Sequence, residues 1–163
     1  MHQVSPDRES RSSMTRWLLA SLHVLALGVG LGAAWSRGRL LSSRLDAATL
    51  RSAFVADMWW GIAAVLWIST GLWRLLAGTE KTTTYYVQNH LFLTKMGIFA
   101  LILALEIRPM ITLTKWRRRV LAGEQPNTER AGTLARISFA QAGLVALMVF
   151  LAAAMARGYG MSS

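Results

Sequence analysis

The sequence contains no cysteine, which excludes disulfides, thiol nucleophiles and thiolate sites for zinc or iron–sulfur clusters. Acidic residues are also scarce: 8 Asp and Glu stand against 18 Lys and Arg, and the formal net charge is +10. In a soluble protein this balance would indicate a nucleic-acid partner. Here the basic residues lie beside long apolar runs, as in membrane proteins whose positive loops fix their orientation. We therefore expect the lipid bilayer as a partner and no nucleic acid.

Several enzyme motifs are also missing. The sequence has no phosphate-binding loop, no dinucleotide fingerprint, no zinc-protease helix motif and no serine in a nucleophile elbow. This removes the usual sequence support for a hydrolase or a transferase. Other kinds of enzyme are neither supported nor excluded by these absences.

Hydrophobic residues make up 53% of the chain and are concentrated in four long runs. The runs predict helices over about 17–36, 58–77, 86–112 and 134–156. Each is close to or longer than the roughly 20 residues that cross a bilayer as a helix. None alternates apolar with polar residues as a strand would. The predicted fold class is all-α, a polytopic membrane protein with a four-transmembrane-helix bundle.

The predicted helices form one transmembrane domain over 17–157, followed by a C-terminal tail over 158–163. Residues 1–16 are polar and serine-rich, which predicts a disordered N-terminal tail, and Met14 is an alternative start to Met1. The first apolar run can also be interpreted as a cleaved signal peptide. Between the first two runs, the stretch LDAATLRSAF has helical spacing and predicts a short interfacial helix.

The distribution of Lys and Arg predicts an orientation. Loops 1 and 3 carry more of these residues than loop 2 and the two tails together. The positive-inside rule then places loops 1 and 3 in the cytoplasm and both termini outside, in a bacterial inner (cytoplasmic) membrane. In the first helix, Gly28 and Gly32 with Gly30 between them have a spacing that lets a neighbouring helix approach closely.

Two histidines are predicted at similar depth in the membrane. His23 lies in the first helix and His90 in the third, and these helices run in the same direction. Histidines at one depth on two helices of a bundle can provide both axial ligands of a b-type haem iron. Both are therefore candidate metal and cofactor ligands. In the alternative interpretation, His23 bonds a backbone carbonyl or a threonine, and His90 is an interfacial residue that faces water.

The third run, NHLFLTKMGIFALILALEIRPM, carries Lys95 well inside its apolar stretch. The spacings from Gln88 to Lys95 and from Lys95 to Glu106 both return to nearly the same side of a helix, which predicts an intramembrane polar stripe. Lys95 is a candidate catalytic residue and a candidate contact for a haem propionate or another anion. The alternative is a structural lysine that snorkels or is hydrogen-bonded. Glu106 is expected to pair with Asp57, a loop arginine or water, and Gln141 is a further candidate partner.

The stretches LHVLALGVGLGAA, DMWWGIAAVLWISTGLWR and YYVQNHLFLTKMGIFALILALEIRPM, in this order, resemble a bacterial family of predicted membrane proteins, domain of unknown function 2214. The likeness covers roughly residues 17–157 and implies a four-helix architecture without a settled activity. The layout is more distantly similar to HemJ-type protoporphyrinogen oxidases and copper-resistance D-like membrane proteins. HemJ-type proteins have an early histidine, matched by His23, and a Trp-Leu-His-x-Lys motif whose lysine matches Lys95. His90 stands five residues before Lys95 instead of two. This similarity implies haem and tetrapyrrole redox chemistry.

Three functions are compatible with these features. The first is a b-haem-binding redox protein of tetrapyrrole or quinone-linked chemistry, with haem b as the only expected cofactor. The second is a non-enzymatic structural subunit or assembly factor with a partner in a larger membrane complex. The third is a small transporter subunit, which would need a homo-oligomer because four helices are few for a transporter.

Overall fold

The computed structural model describes residues 6–76 and 90–159. These residues form four α-helices and no strand: α1 Pro6–Ser42, α2 Ala47–Leu76, α3 His90–Leu121 and α4 Ala131–Ala156. Each helix contains a span long and apolar enough to cross a membrane: Ser13–Ser42, Ala47–Trp73, His90–Leu121 and Ala131–Ala156. The predicted all-α class with four membrane-spanning helices is confirmed.

The helices continue beyond the ends of the apolar runs. α1 begins at Pro6, inside the range predicted as a disordered tail, and it ends at Ser42 instead of about 36. The stretch predicted as a separate interfacial helix is largely the first part of α2, which is continuous from Ala47. α3 extends to Leu121, whereas its predicted start at 86 lies outside the described residues. Arg, Lys and Leu favour helices, so a helix need not end where its hydrophobic run ends.

The helices are arranged in the order α2, α1, α4, α3 around the bundle. α1 packs along both α2 and α4, and α4 packs on α3, whereas α2 and α3 make few contacts with each other. Residues 43–46 join α1 to α2, and residues 122–130 join α3 to α4, at what we call the loop end of the bundle. The opposite end is the terminal end. The sparse contact between the second and third helices leaves an opening that we call the α2–α3 cleft.

Two clusters of buried side chains form the core. The cluster at the loop end includes Leu41, Leu50, Phe54, Leu113 and Trp116, and the central cluster includes Ala34, Trp60, Ile102, Val145 and Met148. Many other large apolar side chains point outward, as expected for helices whose outer surface faces lipid tails. The core therefore lies along the bundle axis, and each of the four helices contributes its inward-facing side chains to it.

Of the three glycines with the predicted small-residue spacing, only Gly30 is in contact with a neighbouring helix, where a Cβ would lie 3.5 Å from Ala63 of α2. Gly28 and Gly32 are not in such contact within the described chain. A Cβ atom at either position would have no described neighbour within 4 Å. The tightest approach is at Gly38, where a Cβ would lie 2.9 Å from the Phe139 ring. That ring also makes an edge contact with Trp35, with ring centroids 5.1 Å apart. α1 and α4 therefore pack through Gly38, a position that the small-residue spacing did not indicate.

Replacement of Gly38 by alanine is expected to destabilise the bundle because Phe139 must move away from Trp35. Overpacking of this kind costs about 1–3 kcal/mol, which outweighs a helix-propensity gain of up to about 1 kcal/mol. Thermal unfolding of the purified protein in mild detergent measures the change. Gly28→Ala is the matched control and should be neutral or stabilising. Equal stability losses in both variants would contradict the packing role of Gly38.

Asp46 caps the start of α2. Its carboxylate accepts a 2.8 Å hydrogen bond from the backbone N–H of Thr49, three residues into the helix. This bond to the Thr49 backbone holds the pKa of Asp46 below the ordinary value of an aspartate. The cap therefore contributes stability above the pKa of the unfolded chain and loses it as pH falls through the lower folded value.

Asp46→Asn should remove this acid dependence because asparagine is an equally good cap that does not titrate. The melting temperatures of the wild type and this variant should be close at neutral pH. They should separate, with the wild type less stable, when pH falls below the ordinary aspartate pKa. A constant difference across that range would contradict the role of the carboxylate.

Candidate functional site

Arg37 of α1 lies fully buried near the loop end, at the centre of a polar network. One terminal nitrogen of its guanidinium donates a 2.6 Å hydrogen bond to Asp57 of α2. The two terminal nitrogens together donate to both carboxylate oxygens of Glu106 of α3, at 3.0 and 2.9 Å. This two-point contact is the strongest geometry available to an arginine and a carboxylate.

α4 completes the network. The Nε–H of Arg37 donates to the Ser138 hydroxyl at 2.9 Å, and a terminal nitrogen donates to the Gln141 side-chain oxygen at 2.7 Å. The Gln141 amide in turn donates to Glu106 at 2.9 Å and to the backbone oxygen of Ile102 at 3.2 Å. We call Arg37, Asp57, Glu106, Ser138 and Gln141 the arginine network. All five N–H groups of the guanidinium have an acceptor in it.

The arginine network joins all four helices and spans the loop-end side of the α2–α3 cleft. Glu106 pairs with Arg37, an arginine assigned to a loop by the sequence, and with Gln141, a predicted candidate partner. Arg37 itself lies inside α1, five residues before its end. Its burial was not predicted from the sequence, because a basic residue just after an apolar run is typical of a topology signal.

His23 has hydrogen-bonding partners on both ring nitrogens. The indole N–H of Trp67 donates to Nε2 at 2.9 Å, which makes that nitrogen the acceptor. The proton is then on Nδ1, which lies 2.9 Å from the Thr70 hydroxyl oxygen. That hydroxyl donates in turn to the backbone oxygen of Leu66 at 2.7 Å. His23 is a neutral imidazole in this arrangement, and its predicted alternative bond to a threonine is confirmed.

His90 is in a different environment. It is the first residue of α3 and is exposed, and its backbone oxygen accepts a 2.9 Å hydrogen bond from Thr94. It does not line the cavity that His23 lines. The structure therefore does not bring the two histidines together around one site.

A cavity of about 290 Å³, which we call the wide cavity, lies between α2 and α3 toward the terminal end. Two polar candidates from the sequence, His23 and Lys95, both line it. The rest of the lining is apolar and includes Trp67, Phe92, Met96, Phe99, Met148 and Met155. Small-molecule sites usually occupy about 300–1,000 Å³ and combine apolar walls with a few polar groups. The wide cavity fits the lower end of this range.

A second cavity of about 50 Å³, the small cavity, lies closer to the arginine network. Its walls include Ala26, Gly30, Ala63, Ala64 and Glu106. Lys95 and Glu106 of the predicted polar stripe therefore line two different cavities. Gln88, the third member of the stripe, lies outside the described residues.

Comparison with known proteins places this architecture in a family. A family model described as "Predicted membrane protein (DUF2214)" matches residues 15–160. The chain belongs to this family. No curated protein and no solved structure matches the chain. The DUF2214 assignment agrees with the resemblance found in the sequence, while the more distant similarity to HemJ-type and copper-resistance proteins stays a prediction.

Arg37→Met should strongly destabilise the DUF2214 bundle because it leaves two carboxylates and an amide without their central donor. Removing one partner of a buried ion pair costs about 3–5 kcal/mol. Thermal unfolding in detergent, together with the yield of monodisperse protein, measures the loss. The matched control is Arg39→Met, which removes an exposed arginine from the same helix and should leave stability nearly unchanged. Similar stability of the two variants would contradict the central role of the arginine network.

Proposed function

We propose that this DUF2214 membrane protein binds an amphipathic molecule with an acidic head group in the wide cavity. The observation that supports this proposal is that Lys95 and His23 line one cavity whose other walls are apolar. Lipid-like carboxylates and phosphates share this chemistry. Catalysis by Lys95 stays a prediction, whereas binding needs only the charge and the cavity.

Lys95 supplies the group that recognises the acidic head. Its positive charge lies at membrane depth, where the low dielectric strengthens its attraction for an anionic ligand group. Its ammonium acts as a point charge that accepts either a carboxylate or a phosphate. His23 donates its own ring proton toward Thr70, so it contributes a neutral ring to the cavity wall and not a second positive charge.

The apolar walls are suited to the body of the ligand. Phe92, Phe99 and Trp67 present aromatic surface, and Met96, Met148 and Met155 present flexible thioether side chains. Methionine adapts to irregular ligand shapes, and aromatic rings bury a large area with few rotatable bonds. A tetrapyrrole carboxylate belongs to this ligand class. A quinone fits less well because it has no acidic group for Lys95.

Access to the wide cavity is proposed to be lateral. The residues that line the cavity come mainly from α2 and α3, the two neighbouring helices with the sparsest contact. Both helices have apolar outer surfaces, so the α2–α3 cleft opens toward lipid tails. A ligand dissolved in the bilayer could then reach Lys95 without crossing an aqueous phase.

A bis-histidine haem does not fit the described geometry. Iron ligation by His23 would require it to give up its bond to Trp67 or to Thr70. His90 is exposed at the start of α3 and lies outside the wide cavity. Haem b as a cofactor stays a prediction. The visible absorption spectrum of protein purified from haem-replete cells tests it, through a Soret band that shifts on dithionite reduction.

Lys95→Met is expected to weaken the binding of acidic alkyl probes. A fluorescent fatty acid and an alkyl phosphate serve as probes for the detergent-solubilised protein, and an alkanol of equal chain length serves as the neutral probe. A hydrogen bond to a charged group contributes about 1.5–3 kcal/mol, so the affinity for both acidic probes should fall by roughly 10-fold or more. A loss for only one acidic probe would identify the head group as carboxylate or phosphate.

Two further variants complete this experiment. Lys95→Arg keeps the charge and should retain most of the affinity. Lys115→Met removes an exposed lysine from the same helix, near the loop end, and should bind both acidic probes like the wild type. Equal affinities of Lys95→Met and the wild type for the acidic probes would overturn the proposed function.

A further inference from the structure

We propose that Trp67 determines how far the apolar chain of the ligand enters the bundle. This inference rests on the proposed function. In it, Trp67 is a specificity-determining residue, and His23 is the positioning residue that holds the indole in place.

Trp67 and Phe99 separate the two cavities. Both residues line the wide cavity and also line the small cavity. Their rings meet edge to face, with centroids 5.4 Å apart and planes at 83°. A chain that lies in the wide cavity with its head at Lys95 therefore meets these two rings before it can reach the space below them.

The two cavities follow one another along the bundle axis. On α1 the lining moves from His23 to Ala26 and Gly30, which are progressively closer to Arg37. On α3 it moves from Lys95 through Phe99 to Glu106 in the same direction. The small cavity is thus the continuation of the wide cavity toward the arginine network, interrupted by the aromatic pair.

His23 fixes the position of the indole. The Trp67 N–H donates to His23 Nε2 at 2.9 Å, and the two rings lie 5.8 Å apart. A tryptophan N–H in an apolar surrounding is costly to leave without an acceptor, so this bond opposes rotation of the side chain. His23 is itself confined, because a Cβ at Gly71 would lie only 3.2 Å from its ring.

The space below the pair is suited to a short apolar chain end. The small cavity of about 50 Å³ is larger than the roughly 10–15 Å³ that one water molecule requires, so it has room for a short chain end. Its walls are mostly alanine, glycine and aromatic carbon, with Glu106 at its edge. Each additional methylene group that is buried there should raise the affinity about fourfold.

The test compares chain-length preferences. Saturated alkyl carboxylates from octanoate to palmitate compete with the fluorescent fatty acid for the full-length protein in one detergent, and each variant is compared with the wild type at every chain length. The wild-type affinity should stop rising at a certain chain length. Trp67→Phe lacks the indole N–H and part of the ring. The affinity of this variant should continue to rise for at least one methylene beyond the wild-type limit, by about fourfold. Phe99→Leu should shift the preference in the same direction from the other side.

Gly30→Ala should reverse the effect of Trp67→Phe on the chain-length limit. A Cβ at Gly30 would lie 3.5 Å from Ala63 and 3.7 Å from Trp60, which is ordinary contact. Because Gly30 lines the small cavity, the added methyl should reduce the space there without a clash. In the Trp67→Phe background it should restore the wild-type chain-length limit. The control is Trp73→Phe, the same substitution at an exposed tryptophan of α2 that lines neither cavity.

The possible results separate the two proposals. If the probes bind with dependence on Lys95 but all variants share one chain-length profile, the role of Trp67 is overturned and the proposed function stands. If no acidic probe binds the wild type, both proposals fall together. If either Trp67→Phe or Phe99→Leu does not fold, the variant that does fold decides the question. An unchanged chain-length preference in the folded variant overturns the inference.

Discussion

The guanidinium group of Arg37 is the interaction on which the bundle depends. It is fully buried, and its five N–H groups are directed to acceptors on α2, α3 and α4. In an apolar interior each unmet donor would be costly, so the helices are favoured in the one arrangement that satisfies all of them. The contact matters most for α2 and α3, which otherwise touch little. Arg37 links the two helices through Asp57 and Glu106, at the loop-end side of the α2–α3 cleft.

This division of the bundle into two ends is the main relation between fold and proposed function. The loop end combines the arginine network with a cluster of large buried side chains that includes Phe54, Leu113 and Trp116. The terminal end has the wide cavity, bordered by methionines and aromatic rings. A densely packed end is suited to hold helix positions, and a cavity with adaptable walls is suited to accept ligands of varying shape. The aromatic pair of Trp67 and Phe99 lies between these two regions.

The sequence predicted the fold because run length and apolar character alone identify membrane-spanning helices. It also predicted an intramembrane polar stripe that includes Lys95, and it named a loop arginine, with Asp57 and water, among the expected partners of Glu106. It did not predict Arg37 as that arginine, because the apolar run stops one residue earlier and hydropathy ends the helix there. The spacing of Ala34, Arg37 and Leu41 could have indicated that Arg37 is buried, because it places all three residues on one face of a continued helix. The structure shows all three buried. The bonds of His23 to Trp67 and Thr70 join residues more than 40 positions apart, and no local spacing indicates such a pair.

The arginine network also has a consequence for how the protein is made. Of the five donors on Arg37, only the one directed to Asp57 finds its acceptor within the hairpin of α1 and α2. The other four are bonded to residues of α3 and α4, which leave the ribosome later. Helices generally insert first and associate afterwards. The newly inserted first hairpin therefore carries a cation that is only partly compensated until the second hairpin docks. Closure of the bundle therefore depends on completion of the chain. A truncated product would retain a partly compensated Arg37 charge in the membrane, and this charge would distinguish it from the finished protein.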